Sequence, residues 1–130
     1  MRLLPSGVFT VVALALLFWL TLAPQPLPEN DSLAFPGSDK VAHVIMFGGV
    51  YFVMLFDLTG WRRSRGKGKP SAGAALAVGA LCLALGGGIE LLQGAMHMGR
   101  GCDVWDFVAD GVGVALSALV TPVVIRVLEP

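Results

Sequence analysis

The stretch GGGIELLQGAMHMGRGCDVWDFVADGVG, Gly86 to Gly113, decides how this chain is read. An apolar, glycine-rich run leads into it and another leads out, yet between them stand Glu90, Gln93, Arg100, Asp103, Asp106 and Asp110. Inside a bilayer each ionisable group costs a few kcal/mol unless it has a partner or water, so a cluster of this kind marks a functional-site candidate. The rest of the chain reads as a scaffold for it.

The composition supports a bilayer setting. The chain has 130 residues, 55% of them hydrophobic and 14% charged, and a mean hydropathy of +0.77, which is too apolar for a small soluble domain. Four spans of roughly 20 residues would use nearly the whole length, so residues 1–130 read as a single domain. The net charge of zero is uninformative, because the placement of charges is what matters. No basic tail, zinc-ligand spacing or aromatic RNA-binding pattern points to nucleic acid. Cys82 falls in mid-span and Cys102 in a turn, depths that do not suit a disulfide, so both are expected as free thiols.

Taken in order, GVFTVVALALLFWLTLA (7–23) is apolar enough for a first span. A signal peptide is the competing reading, but Pro24 would block processing and the run exceeds an ordinary signal core. Residues 24–38, with four prolines, two acids and no basic residue, read as an extended loop, with Ser38 placed to cap the helix that follows. The second span covers 40–58; Asp39 and His43 share a face at its start, and Asp57 lies at the far interface. The next stretch, TGWRRSRGKGKPS, carries Arg62, Arg63, Arg65, Lys67 and Lys69 without an acid, the pattern of a cytoplasmic loop rather than a nucleic-acid patch. That assignment puts both termini in the cytoplasm. A third span covers 72–95, where the Gly86–Gly88 triplet permits a kink or unwound turn, and a fourth covers 103–127, with Pro122 near its inner end.

Helix periodicity then gathers the polar residues. At about 100° per residue, positions 39 and 43 lie within about 40° of one another, 90 and 93 within about 60°, and 103, 106 and 110 within about 60°. All begin or end their helices on the outer side, so lipid should turn the three stripes inward to form a polar pocket open to the outside, with Asp110 deepest. His97, between two methionines in the turn, reads as a solvated surface residue.

Three readings of the pocket follow. Lys40, His43 and Arg100 can neutralise Glu90, Asp103, Asp106 and Asp110 as plain ion pairs; Asp103 at a helix start is favoured by the macrodipole alone. The same cations can engage a phosphate or carboxylate on a lipid-linked headgroup. The carboxylates with His43 can also hold a divalent cation or supply a general acid and base, with Glu90, Asp106 and His43 the residues of a hydrolase or transferase. The metal reading is the weaker, because Asp-x-x-Asp on a helix has little metal specificity and no second His or Cys accompanies it, and no resident metal or cofactor is indicated. The inner halves of the helices hold no polar relay, which argues against an ion or proton pathway.

The segments SDKVAHVIMF, IELLQ and GRGCDVWDFVADGVGVALS, spanning roughly 38–117, resemble the VanZ-like family of bacterial membrane proteins. The resemblance implies a small multi-span protein of the bacterial cytoplasmic membrane and cell envelope, with a role in resistance to lipoglycopeptides such as teicoplanin in some members. The family's marked positions fall here on Asp39, Lys40, His43, Glu90, Gln93, Arg100, Asp106 and Gly111. The family pattern usually has Asn where this chain has Asp110, which adds an anion to the pocket. The overall expectation is an all-α membrane protein of four transmembrane helices, in contact with membrane lipid, whose outer pocket holds a lipid-linked or cell-wall precursor headgroup. Catalysis and oligomeric state are left open by the residues themselves.

Overall fold

The computed structural model describes residues 7–22, 38–96 and 104–128. Among these residues the structure is all-helical, with α1 at Val8–Leu22, α2 at Ser38–Ser64, α3 at Ala72–Met96 and α4 at Val104–Leu128. The Pro-rich segment up to residue 37 and the 97–103 turn, with His97, Arg100, Cys102 and Asp103, lie outside the described residues. The helices α2, α3 and α4 are long and apolar enough to cross a membrane. At 15 residues, α1 rises about 22 Å, short of the ~30 Å hydrocarbon thickness.

The second helix outruns its expected end at residue 58 by a turn and a half, to Ser64. Thr59 returns its hydroxyl to the Leu55 carbonyl at 2.7 Å, which leaves the backbone helical through the polar Thr-Gly-Trp step. Arg62 and Arg63 then sit in the last turn, where the carbonyl end of the helix favours cations. Gly66 stops it. Its φ of +68° lets the Gly66 amide bond to Arg63 O at 3.1 Å and the Lys67 amide to Arg62 O at 2.8 Å, the paired closure that left-handed glycine permits. After this short basic connection, Ser71 caps α3, its Oγ accepting from the Ala74 amide at 3.1 Å.

Neither predicted weak point breaks its helix. The Gly86–Gly88 triplet runs through α3 without interruption, and Pro122 lies inside α4, which continues to Leu128. In lipid the small residues serve close packing instead. The most extensive helix pairing is between α2 and α4. At their crossing, a Cβ on Gly48 would lie 3.1 Å from the Gly113 carbonyl oxygen, and one on Gly113 would run into the Val44 carbonyl, with Val44 Cα at 3.0 Å. Backbone meets backbone there.

The apolar core joins all four helices: Leu17 of α1, Phe47, Val50, Tyr51 and Leu55 of α2, Cys82 and Ile89 of α3, and Val114 of α4. Cys82 is a free thiol within it, its Sγ 3.8 Å from Met54 Sδ. Outward positions such as Ile45, Leu76, Leu91, Leu119 and Val127 are exposed, as lipid-facing side chains are. Asp57 departs from its expected interfacial place. It is buried, and its Oδ2 accepts from both the Thr10 amide and the Thr10 hydroxyl at 2.8 Å. A carboxylate on α2 thus takes one free amide in the first turn of α1 and ties the shortest helix to the bundle. Phe9 against Phe56, ring centroids 6.0 Å apart and edge to face, completes the joint.

Two outcomes are expected in micelle unfolding measurements. Gly113→Ala should destabilise by about 2 kcal/mol or more because backbone must move, whereas Gly49→Ala, with open space around it, should be neutral or gain up to ~1 kcal/mol of helix propensity. Asp57→Ala should cost about 1.5–3 kcal/mol, the range for hydrogen bonds to a charged group, and should speed proteolysis within α1.

Candidate functional site

One end of the bundle gathers the start of α2, the end of α3 and the start of α4. The basic connection lies at the other, since Lys40 and Arg62 are 22 residues apart on α2, about 33 Å at the helical rise. At the first end the expected convergence occurs for every candidate whose side chain is described: Lys40 and His43 from α2, Glu90 from α3, Asp106 and Asp110 from α4. Asp39 and Gln93 are in α2 and α3 by backbone, with side chains outside the described set, and Arg100 and Asp103 are outside it altogether.

Nitrogen groups and carboxylates alternate along the α2–α4 seam. Lys40 Nζ donates to Asp106 Oδ1 at 2.5 Å. The other Asp106 oxygen lies 3.6 Å from His43 Nε2, and the opposite ring nitrogen, Nδ1, is 2.6 Å from Asp110 Oδ1. One carboxylate accepts from Nδ1–H, which holds the ring and leaves Nε2 toward the other. The spacing follows from helix geometry: positions 40 and 43 on α2 and 106 and 110 on α4 each lie about one turn apart, so two parallel helices in contact offer the groups in matched rungs. Phe47, one turn below His43, lies parallel to the imidazole with centroids 6.3 Å apart. Its role was legible from the i, i+4 spacing, although an apolar residue in an apolar helix gives no separate signal.

Burial deepens along the row. The Lys40 side chain is 36% exposed and that of Asp106 9%, while Asp110 is completely buried. Glu90 is buried too, and its carboxylate joins His43 and Asp110 in a group whose ligand-type atoms all lie within 4.8 Å of one another. Among the described residues the deep members of the site are enclosed and the Lys40 end meets the surroundings, a more enclosed arrangement than the open pocket expected from the stripes. The close contact of the parallel α2 and α4 at Gly48 and Gly113 brings the rungs together.

Gly86 belongs to the small residues expected to allow close helix approach, and its missing side chain makes room for a carboxylate: a Cβ there would lie 2.5 Å from Asp110 Oδ2 and 3.3 Å from Asp110 Cγ. Two buried oxygens, Glu90 Oε1 and Asp110 Oδ2, accept no hydrogen bond, although both residues hold other polar contacts.

The chain matches no family model, no curated protein and no solved structure. The chemistry of the site has to be argued from its own residues. An ammonium at the mouth, a carboxylate-oriented imidazole and buried acids can recognise a polar headgroup, pass a proton, or hold a cation.

The energetics should grade with depth. Removing one partner of a buried pair strands the other charge, so His43→Ala and Asp110→Ala should each cost about 3–5 kcal/mol, and the double variant much less than their sum. Lys40→Ala, at the half-exposed end, should cost about 1 kcal/mol or less. Thermal or steric-trap unfolding of the four proteins checks the order.

Proposed function

We propose that this chain is a VanZ-like integral protein of the bacterial cytoplasmic membrane and envelope, crossing four times with both termini in the cytoplasm. It binds the headgroup of a lipid-linked or cell-wall precursor at the outer-leaflet end of α2, α3 and α4. The orientation rests on Arg62 and Arg63 in the last turn of α2 and Arg65, Lys67 and Lys69 in the connection to α3, since the cytoplasmic side carries the positive excess. Four crossings require residues on either side of Val8–Leu22 to extend α1 through the bilayer. The family reading is supported by Lys40, His43, Glu90 and Asp106, four positions of the resemblance that meet in one cluster.

The observation that carries the binding reading is the graded row itself. Lys40 gives a donor to Asp106, and its side chain, 36% exposed, stands where a phosphate or carboxylate can meet the ammonium. Below it the charges are already paired and buried, so the site is organised before a headgroup arrives and little ordering entropy is lost on binding. A link to teicoplanin tolerance follows if the bound molecule is the precursor that such drugs recognise.

A second reading is favoured by His43. With Nδ1–H given to Asp110, the Nε2 lone pair has the tautomer and orientation of a general base, the arrangement hydrolases and transferases use. In this reading Asp106 and Glu90 share the proton traffic and the substrate is a lipid or envelope component.

Glu90→Gln and Asp106→Asn, prepared beside the parent in one membrane preparation, separate a working site from a structural one. The expected outcome is loss of the envelope or drug-tolerance phenotype while the variants stay folded and inserted. In binding assays with lipid-linked precursors, Lys40→Ala should weaken retention about tenfold, given the 1.5–3 kcal/mol range for charged hydrogen bonds. Unchanged retention would remove the basis for headgroup binding, and turnover abolished only by His43→Gln would favour the enzyme.

A further inference from the structure

At the floor of the row, His43, Glu90 and Asp110 come from three different helices and turn their donor atoms toward a common point. Each is buried, at 4%, 3% and 0% exposure, and one ligand atom from each lies within 4.8 Å of the others. We propose that these three residues form a binding site for a divalent first-row metal ion, with Asp106 and Lys40 as its supporting shell.

The donor set is suited to such an ion. One imidazole nitrogen with two carboxylate oxygens is a mixed nitrogen and oxygen environment, which Zn²⁺, Mn²⁺ and Fe²⁺ accept. Metal to ligand distances of about 2.0–2.2 Å put neighbouring tetrahedral ligand atoms about 3.3 Å apart. The widest separation here therefore has to shrink by about 1.5 Å, a side-chain rotation rather than a helix movement. Glu90 Oε1 and Asp110 Oδ2, the two buried oxygens that accept no hydrogen bond, belong to the residues that would supply the oxygen ligands. Gly86 clears the volume beside Asp110 Oδ2 that any side chain would occupy.

The surrounding shell fits as well. Metal-bound histidines usually give their other ring N–H to a carboxylate. When Nδ1 of His43 turns its lone pair to the metal, its proton passes to Nε2, which already lies 3.6 Å from Asp106 Oδ2. Asp106 is fixed for that task by Lys40 on its other oxygen. No proton is gained or lost overall: the hydrogen bond to Asp110 is exchanged for one to Asp106, and Asp110 is released to the ion. Each of the three ligands stands on a different helix, so no local spacing in the sequence marks this set.

Three protein ligands leave at least one coordination position for water or another oxygen. If the headgroup reading holds, that position would take a phosphate oxygen of the headgroup, but metal binding itself does not depend on it. The test uses the full chain in detergent, prepared without a histidine tag, stripped with chelator and given no precursor lipid, so the two readings fail separately. Titration with Zn²⁺ should show one saturable site per chain, and Glu90→Gln should weaken it at least tenfold. Asp106→Asn should weaken it about 10–100-fold, the range for second-shell partners. Pulsed EPR of the parent protein loaded with Mn²⁺ should show coupling to one imidazole nitrogen, a readout that needs no variant to fold. Absence of saturable binding, binding untouched by Glu90→Gln, or a Mn²⁺ signal without nitrogen coupling would each overturn the proposal.

Discussion

The arrangement of this bundle depends on one constraint: charged groups in an apolar medium must meet one another, and they can meet only if the helices that carry them touch. Lys40 with Asp106 and His43 with Asp110 are rungs between α2 and α4. They form because backbone approaches backbone at Gly48 and Gly113 just below them. Hydrophobic contrast cannot supply that closeness in lipid, where packing and polar contacts drive association. The small residues and the charges are therefore parts of one device, the first setting the distance and the second holding the register. The opposite end uses the same logic on a smaller scale, where Asp57 of α2 takes the Thr10 amide and hydroxyl in the first turn of α1.

Much of this was legible in the sequence because two periodicities coincide. The helical repeat places Asp106 and Asp110 on one stripe and Lys40 and His43 on another, and the basic connection divides the charges between the ends. From those two facts the meeting of α2, α3 and α4 follows without coordinates. The helix bounds came within a residue or two of the expected spans, apart from α2. There the Arg-Arg pair marked a loop by polarity, while the stop signal was Gly66, four residues further on.

What the sequence hid is what periodicity does not encode. A stripe shows which side faces a partner, but not how near the partner comes, so an open pocket was expected where close glycine packing gives a buried row. Asp57 looked interfacial because nothing in its neighbourhood names Thr10, 47 positions away. The glycine triplet looked like a flexible point because a missing side chain reads as freedom; across the interface, Gly86 is a space filled by Asp110. The inner half also holds more buried polar groups than it had seemed to, with Asp57, Thr59 and Thr121 all enclosed. The two threonines make local hydrogen bonds within their own helices and Asp57 serves α1, so together they cap and bend backbone rather than line a path.

Asp110 is the residue on which a purely structural account is weakest. Holding the His43 ring needs only an acceptor for Nδ1–H, and the amide oxygen of an Asn would supply one without a charge. Asp therefore adds a negative charge, not a hydrogen bond, at the fully enclosed floor of the site beside Glu90. Two carboxylates in one dry pocket repel, and each loses hydration that the bundle has to replace. A staple for α2 and α4 would be stronger without that addition. The extra acid makes physical sense where positive charge is delivered to the floor, by a proton on His43 or by a bound cation.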